Sequence, residues 1–169
     1  ERSIATVFQP VCALRDRRIV GYEALSRFSA LPYRSPDLWF KEASAVGLGV
    51  ALEVEAFRTA LETQFRLPRD CYLSLNLGAD AILDGRWLQL AEAHDLRRLV
   101  LELTEHEHVD DYEEIKRRLA TARARGLRLA IDDAGVGYSG LRHFLETRPD
   151  IIKLDMSLTR NIDRDRGRQ

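Results

Sequence analysis

Six side chains able to bind cations or move protons stand in segments that otherwise read as strands. They are Glu23 in VGYEALSRF (20–28), Asn76 in CYLSLNL (71–77), Glu102 in RLVLELTE (98–105), Asp132 and Asp133 in LRLAIDDA (127–134), and Lys153 in DIIKLD (150–155). Strands favour Val, Ile and Tyr and are poor in Glu, because an unpaired buried charge is costly. In a strand, alternate residues face opposite sides. Leu73, Leu75 and Leu77 therefore share a face opposite Ser74 and Asn76; Leu99, Leu101 and Leu103 oppose Val100, Glu102 and Thr104. Leu127, Leu129 and Ile131 oppose Arg128, Ala130 and Asp132, and Ile152 and Leu154 oppose Ile151, Lys153 and Asp155. An isolated carboxylate at a strand end is ordinarily solvated or caps a helix. A set in matched phase on successive strands calls for a shared purpose. Four carboxylates in one place repel strongly, one lysine is too little compensation, and an all-oxygen set of Asp, Glu and Asn suits Mg²⁺ or Mn²⁺.

The elements that must position these groups follow from the pattern between them. One further strand candidate opens the chain, TVFQPVCAL (6–14), joined to the strand of Glu23, RIVGYEALSRF (18–28), by a short turn at 16–18 that makes the pair antiparallel. From residue 71 onward, strands start every 23 to 29 residues with room for a helix between them, the rhythm of repeated βα units. The spacing predicts a helix over 49–65 with Phe57, Leu61 and Phe65 on one face. It predicts another over 111–124 with Tyr112, Ile115 and Leu119 inward, capped by Asp110 or Asp111 and stopped at Gly126. An open sheet covered on both sides would carry apolar residues on both faces. In a (β/α) barrel the polar face points inward, and the C-terminal mouth is where active sites are built.

Composition narrows the function classes. The 169 residues carry a formal net charge of −1, which gives no support for binding a nucleic acid polymer or a membrane surface by bulk electrostatics. No apolar run approaches the roughly 20 residues of a transmembrane helix, and Cys12 and Cys71 read as reduced thiols of a cytoplasmic protein. The histidines His94, His106, His108 and His143 form no ligand spacing, so HEH (106–108) reads as an exposed loop and not a zinc site. The glycines of DDAGVGYSG (132–140) make a turn into a helix, and two aspartates before them would repel a phosphate unless cations intervene. Together, carboxylates and loop suggest cation-assisted phosphate chemistry.

FQPV, YEALSRF, LSLNL, LELTE, DDAGVGYSGL and IIKLD stand in the order and spacing of EAL domains, and the chain resembles that family over nearly its whole length. The resemblance implies a TIM-like (β/α) barrel with an antiparallel first strand, and a metal-dependent phosphodiesterase that opens cyclic di-GMP to linear pGpG. It implies one or two ions of Mg²⁺ or Mn²⁺ held by Glu23, Asn76, Glu102 and Asp132, with Asp133 serving the second. It makes Lys153 the contact of the attacking water and Glu105 the glutamate that steadies the loop after Asp133, a loop linked to homodimerisation. Gln9, Leu25 and Arg27 resemble positions lining the dinucleotide, Arg27 meeting a phosphate. A GGDEF or sensory domain in a longer parent chain belongs to the same expectation.

The sequence departs from the family in two places. The usual DDFGTGYSSL loop is DDAGVGYSGL here, with Ala134, Val136 and Gly140 substituted. Family members continue into a seventh strand with another metal-site glutamate and an eighth followed by a substrate-binding glutamine. Residues 1–169 are therefore expected to form an EAL domain lacking its last two βα units. Three readings follow: a cyclic di-GMP phosphodiesterase, a non-catalytic receptor or interaction module for the same dinucleotide, and a Mg²⁺ barrel using Lys153 as base for carbon-acid chemistry. Six family motifs set the third aside.

Overall fold

Six strands form one sheet in the order in which the chain makes them. The structure is a computed structural model that describes residues 3–104, 111–134, 144–160 and 162, with only the backbone for 104, 133 and 134. Strand β1 (Ile4–Cys12) pairs antiparallel with β2 (Ile19–Phe28). The turn between them puts Arg17 at φ 59, and Ala13 and Arg18 close it through backbone hydrogen bonds. From there β3 (Tyr72–Asn76), β4 (Leu99–Thr104), β5 (Arg128–Ala134) and β6 (Ile151–Leu154) add in parallel.

The leucine face predicted from alternation is the core. Leu73, Leu75, Leu77, Leu99, Leu101, Leu103, Leu129 and Ile131 are essentially inaccessible to solvent. They pack under α2 (Gly49–Leu61), α3 (Ala79–Asp84), α4 (Arg86–Glu92) and α5 (Tyr112–Ala124), which follow α1 (Pro36–Ala45). Trp87 of α4 is fully buried against Phe57, and its indole N–H donates to the carbonyl of Ile82 at 3.1 Å. In α5 the cap is Asp111, which accepts from the backbone N–H of Glu114 at 2.9 Å. Gly126 stops that helix at φ +99, a left-handed conformation that favours glycine.

One expected helix is shorter than its pattern. α2 ends at Leu61 and a 3-10 turn at Gln64–Arg66 follows, so Phe65 leaves the core stripe and is 78% exposed beneath the Arg66 guanidinium. The pair α3 and α4 carries no clear stripe of its own; each is too short to show a period.

Register explains where the other face of the sheet points. Glu23 lies level with Ser74, Ser74 with Val100, and Val100 with Arg128. Glu102 stands two residues beyond Val100, and Asp132 four beyond Arg128. The polar set thus climbs about one residue per strand, the stagger that barrel strands have. The sheet also curves. Four spacings of about 4.8 Å would put β2 roughly 19 Å from β6 in a flat sheet, yet Lys153 on β6 meets Glu23 on β2 at 3.3 Å. The described residues form the arc of a barrel, open between β1 and β6.

Candidate metal centre

The inward face is layered. Gly21 and Tyr72 are level neighbours at the N-terminal end, and Arg128 lays its guanidinium over the Tyr72 ring, 4.7 Å from the centroid. Val100, buried, lies level with Arg128 on the same face.

Above it, Glu23, Glu102 and Asp132 bring one carboxylate oxygen each to within 4.8 Å of one another. Lys153 reaches all three, at 2.6 Å from Glu102, 2.9 Å from Asp132 and 3.3 Å from Glu23. Glu102 is the deepest, 3% exposed, with one oxygen on Lys153 and the other accepting from the Ser74 hydroxyl. Burial pushes its carboxyl up, against the opposing pull of Lys153 and Ser74. Burial alone would lower the Lys153 ammonium, but the charge of Glu102 and the hydrogen bonds to Asp132 and Glu102 outweigh it, so its pKa moves up. Lys153 is charged at any ordinary pH. Asn76 is level with Glu102 across β3 and β4, and its amide lies 3.4 Å from Glu23.

The donor set fits a hard cation. Three carboxylates and an amide supply only oxygen ligands, as Mg²⁺ and Mn²⁺ prefer, and no His or Cys competes among the described residues of the cluster.

The remaining expected site residues fall around this centre or outside the described region. Gln9 is the register partner of Glu23 on β1. Leu25 and Arg27 continue the face of Glu23 and line a cleft of about 460 Å³ shared with Asn76, Phe40, Glu53 and Phe57. The side chain of Asp133, together with Glu105, Val136, Gly140, His106, His108, His143 and the loop expected to mediate dimerisation, lies outside the described residues.

Two contributors escaped sequence reasoning. Ser74 was visible on the polar face of β3 but has no charge to mark it; its hydroxyl orients Glu102. Glu53 accepts the backbone N–H of Gly78 at 2.7 Å and so pins the turn just after Asn76. Its signal was an acid set in the inward stripe of α2 between Val50 and Phe57.

With this geometry in place, comparison with known proteins is consistent. The EAL domain family matches residues 1–169, and the chain belongs to that family. The Escherichia coli (strain K12) protein named probable cyclic di-GMP phosphodiesterase PdeB is 29% identical over 167 residues, covering 92% of this chain and 32% of that protein. Among solved structures, Klebsiella pneumoniae BlrP1 in a calcium and cyclic di-GMP complex superposes with a TM-score of 0.81 at 27% identity, covering 99% of this chain and 44% of that one. A standalone versatile EAL protein from Vibrio cholerae O395, in its cyclic di-GMP-bound form, does so with a TM-score of 0.75 at 31% identity, covering 98% and 72%. The chain spans from a little over a quarter to a little over half of the curated relatives it matches. Among the described residues, no helix is long and apolar enough to cross a membrane.

Proposed function

We propose that residues 1–169 carry the ligand-bearing part of a metal-dependent phosphodiesterase that hydrolyses one ester bond of cyclic di-GMP to give linear pGpG. The observation that supports it most is the convergence of Glu23, Glu102 and Asp132 from three different strands around Lys153. A divalent cation held by these carboxylates with Asn76 would lower the pKa of a water and neutralise charge on the phosphoryl oxygens. The rest is work for the chain itself. Lys153 orients the attacking water through its ammonium donors, and Ser74 keeps Glu102 in place. Arg27 at the rim meets a phosphate, while Gln9 and Leu25 hold the flanking part of the dinucleotide. Asp133 serves a second ion and Glu105 steadies the loop that follows it.

The experiment is conversion of cyclic di-GMP to pGpG by the intact gene product with Mn²⁺ or Mg²⁺, followed by chromatography. Glu23→Gln is expected to abolish turnover with the circular dichroism spectrum unchanged. A variant that kept the wild-type rate would overturn the assignment. Tight dinucleotide binding without turnover in either metal would replace hydrolysis with a receptor role.

A further inference from the structure

Lys153 shares its ligands with any cation the site takes. An ammonium has three hydrogens to donate, and here three carboxylates from β2, β4 and β5 surround it within 3.3 Å. A metal ligated by Glu23, Glu102 and Asp132 would draw on the same three carboxylates, at about 2.0–2.1 Å for Mg²⁺. The two cations would then stand on the order of 4 Å apart, where like charges repel strongly in a partly buried site. The Lys153 side chain is 29% exposed among the described residues.

We propose that Lys153 and the divalent cation are antagonists at this centre, so that the lysine sets how readily the site fills as well as how water is held. This rests on the reading of the cluster as a metal site, and it gives Lys153 a second task, that of a built-in competitor. A purely catalytic lysine would leave metal affinity unmoved. A structural lysine would, on removal, loosen the carboxylates and weaken binding.

The test is Mn²⁺ binding without dinucleotide, read from the electron paramagnetic resonance signal of free Mn²⁺ and from the Mn²⁺-dependent rise in melting temperature. Wild type, Lys153→Gln, Lys153→Met and Lys153→Arg are compared in the intact protein. Both neutral variants are expected to bind Mn²⁺ tighter by on the order of tenfold or more, while Lys153→Arg binds no tighter than wild type. Neutral variants with native circular dichroism and equal or weaker affinity would overturn the proposal. Should they unfold in EDTA, the Mn²⁺ concentration that restores the fold is read instead; a midpoint below that for wild-type stabilisation supports antagonism, and one above it refutes it. Failure to hydrolyse cyclic di-GMP alongside tighter Mn²⁺ binding would remove the proposed activity and leave the antagonism standing. No Mn²⁺ binding by any of the four proteins would remove both.

Discussion

Gly21→Ala should destabilise the protein through a single contact. A Cβ at Gly21 would lie 2.5 Å from both Cε2 and Cζ of Tyr72 and 2.6 Å from Cδ2, well inside van der Waals contact. The ring must swing aside, but Arg128 stacks on its face and holds it. Overpacking of this kind costs about 1–3 kcal/mol, and loss of the cation–π contact adds roughly 0.5–1 kcal/mol. Replacing a strand glycine returns about 0.5–1 kcal/mol. The net loss is about 1–3 kcal/mol, or roughly 2–12 °C in melting temperature for a chain of this size. The assay is thermal denaturation of Gly21→Ala, Tyr72→Ala and the double variant. With the ring removed, Gly21→Ala should become neutral or mildly stabilising. An equal cost in both backgrounds, or no cost in the wild type, would refute the explanation.

Two other perturbations act away from the centre. Asp111→Ala removes the side chain that accepts from Glu114 N–H at the start of α5, and should cost about 1 kcal/mol; a melt of the variant should show roughly a 2–4 °C decrease. His94 sits against Gln64, with Nδ1 at 3.1 Å from the amide oxygen, and burial lowers its pKa. The unfolded chain therefore takes up the proton first as pH falls. The associated stability is complete above the ordinary histidine value of about 6.5 and is lost as pH drops through the folded value. Melts between pH 8 and 5 should fall more steeply for wild type than for His94→Asn, and parallel slopes would exclude this source.

Much of the architecture was legible because the β5 and β4 strands alternate cleanly. Leu129 and Ile131, or Leu101 and Leu103, mark one face, and a charge in the opposite phase then has to point inward. The short turn at 16–18 marked the antiparallel first pair, as the structure has it, and the family motifs added the barrel, of which the described residues form an open arc. Legibility failed where the cause is three-dimensional. The exit of Phe65 from its stripe depends on how α2 turns toward β3, and the period alone cannot see that. Ser74 matters because Glu102 is level with Asn76 and leans back toward it, a consequence of register. The one-residue climb per strand that brings Glu23, Glu102 and Asp132 together is likewise a property of pairing and not of any one segment.

Sequential strand order has a kinetic consequence. Every pairing in the sheet joins strands that follow one another along the chain, so the ladder can grow by short loop closures. The contact of Lys153 with Glu23 joins residues 130 positions apart (153 − 23). It can form only after all the intervening strands are registered and the arc has bent. Contacts of that kind are largely absent from the folding transition state and act on the unfolding rate. Substitutions at Lys153 should therefore leave the folding limb of a chevron plot nearly unchanged and displace the unfolding limb. A cation seated among the same carboxylates would lengthen the lifetime of the folded sheet far more than it would hasten its assembly.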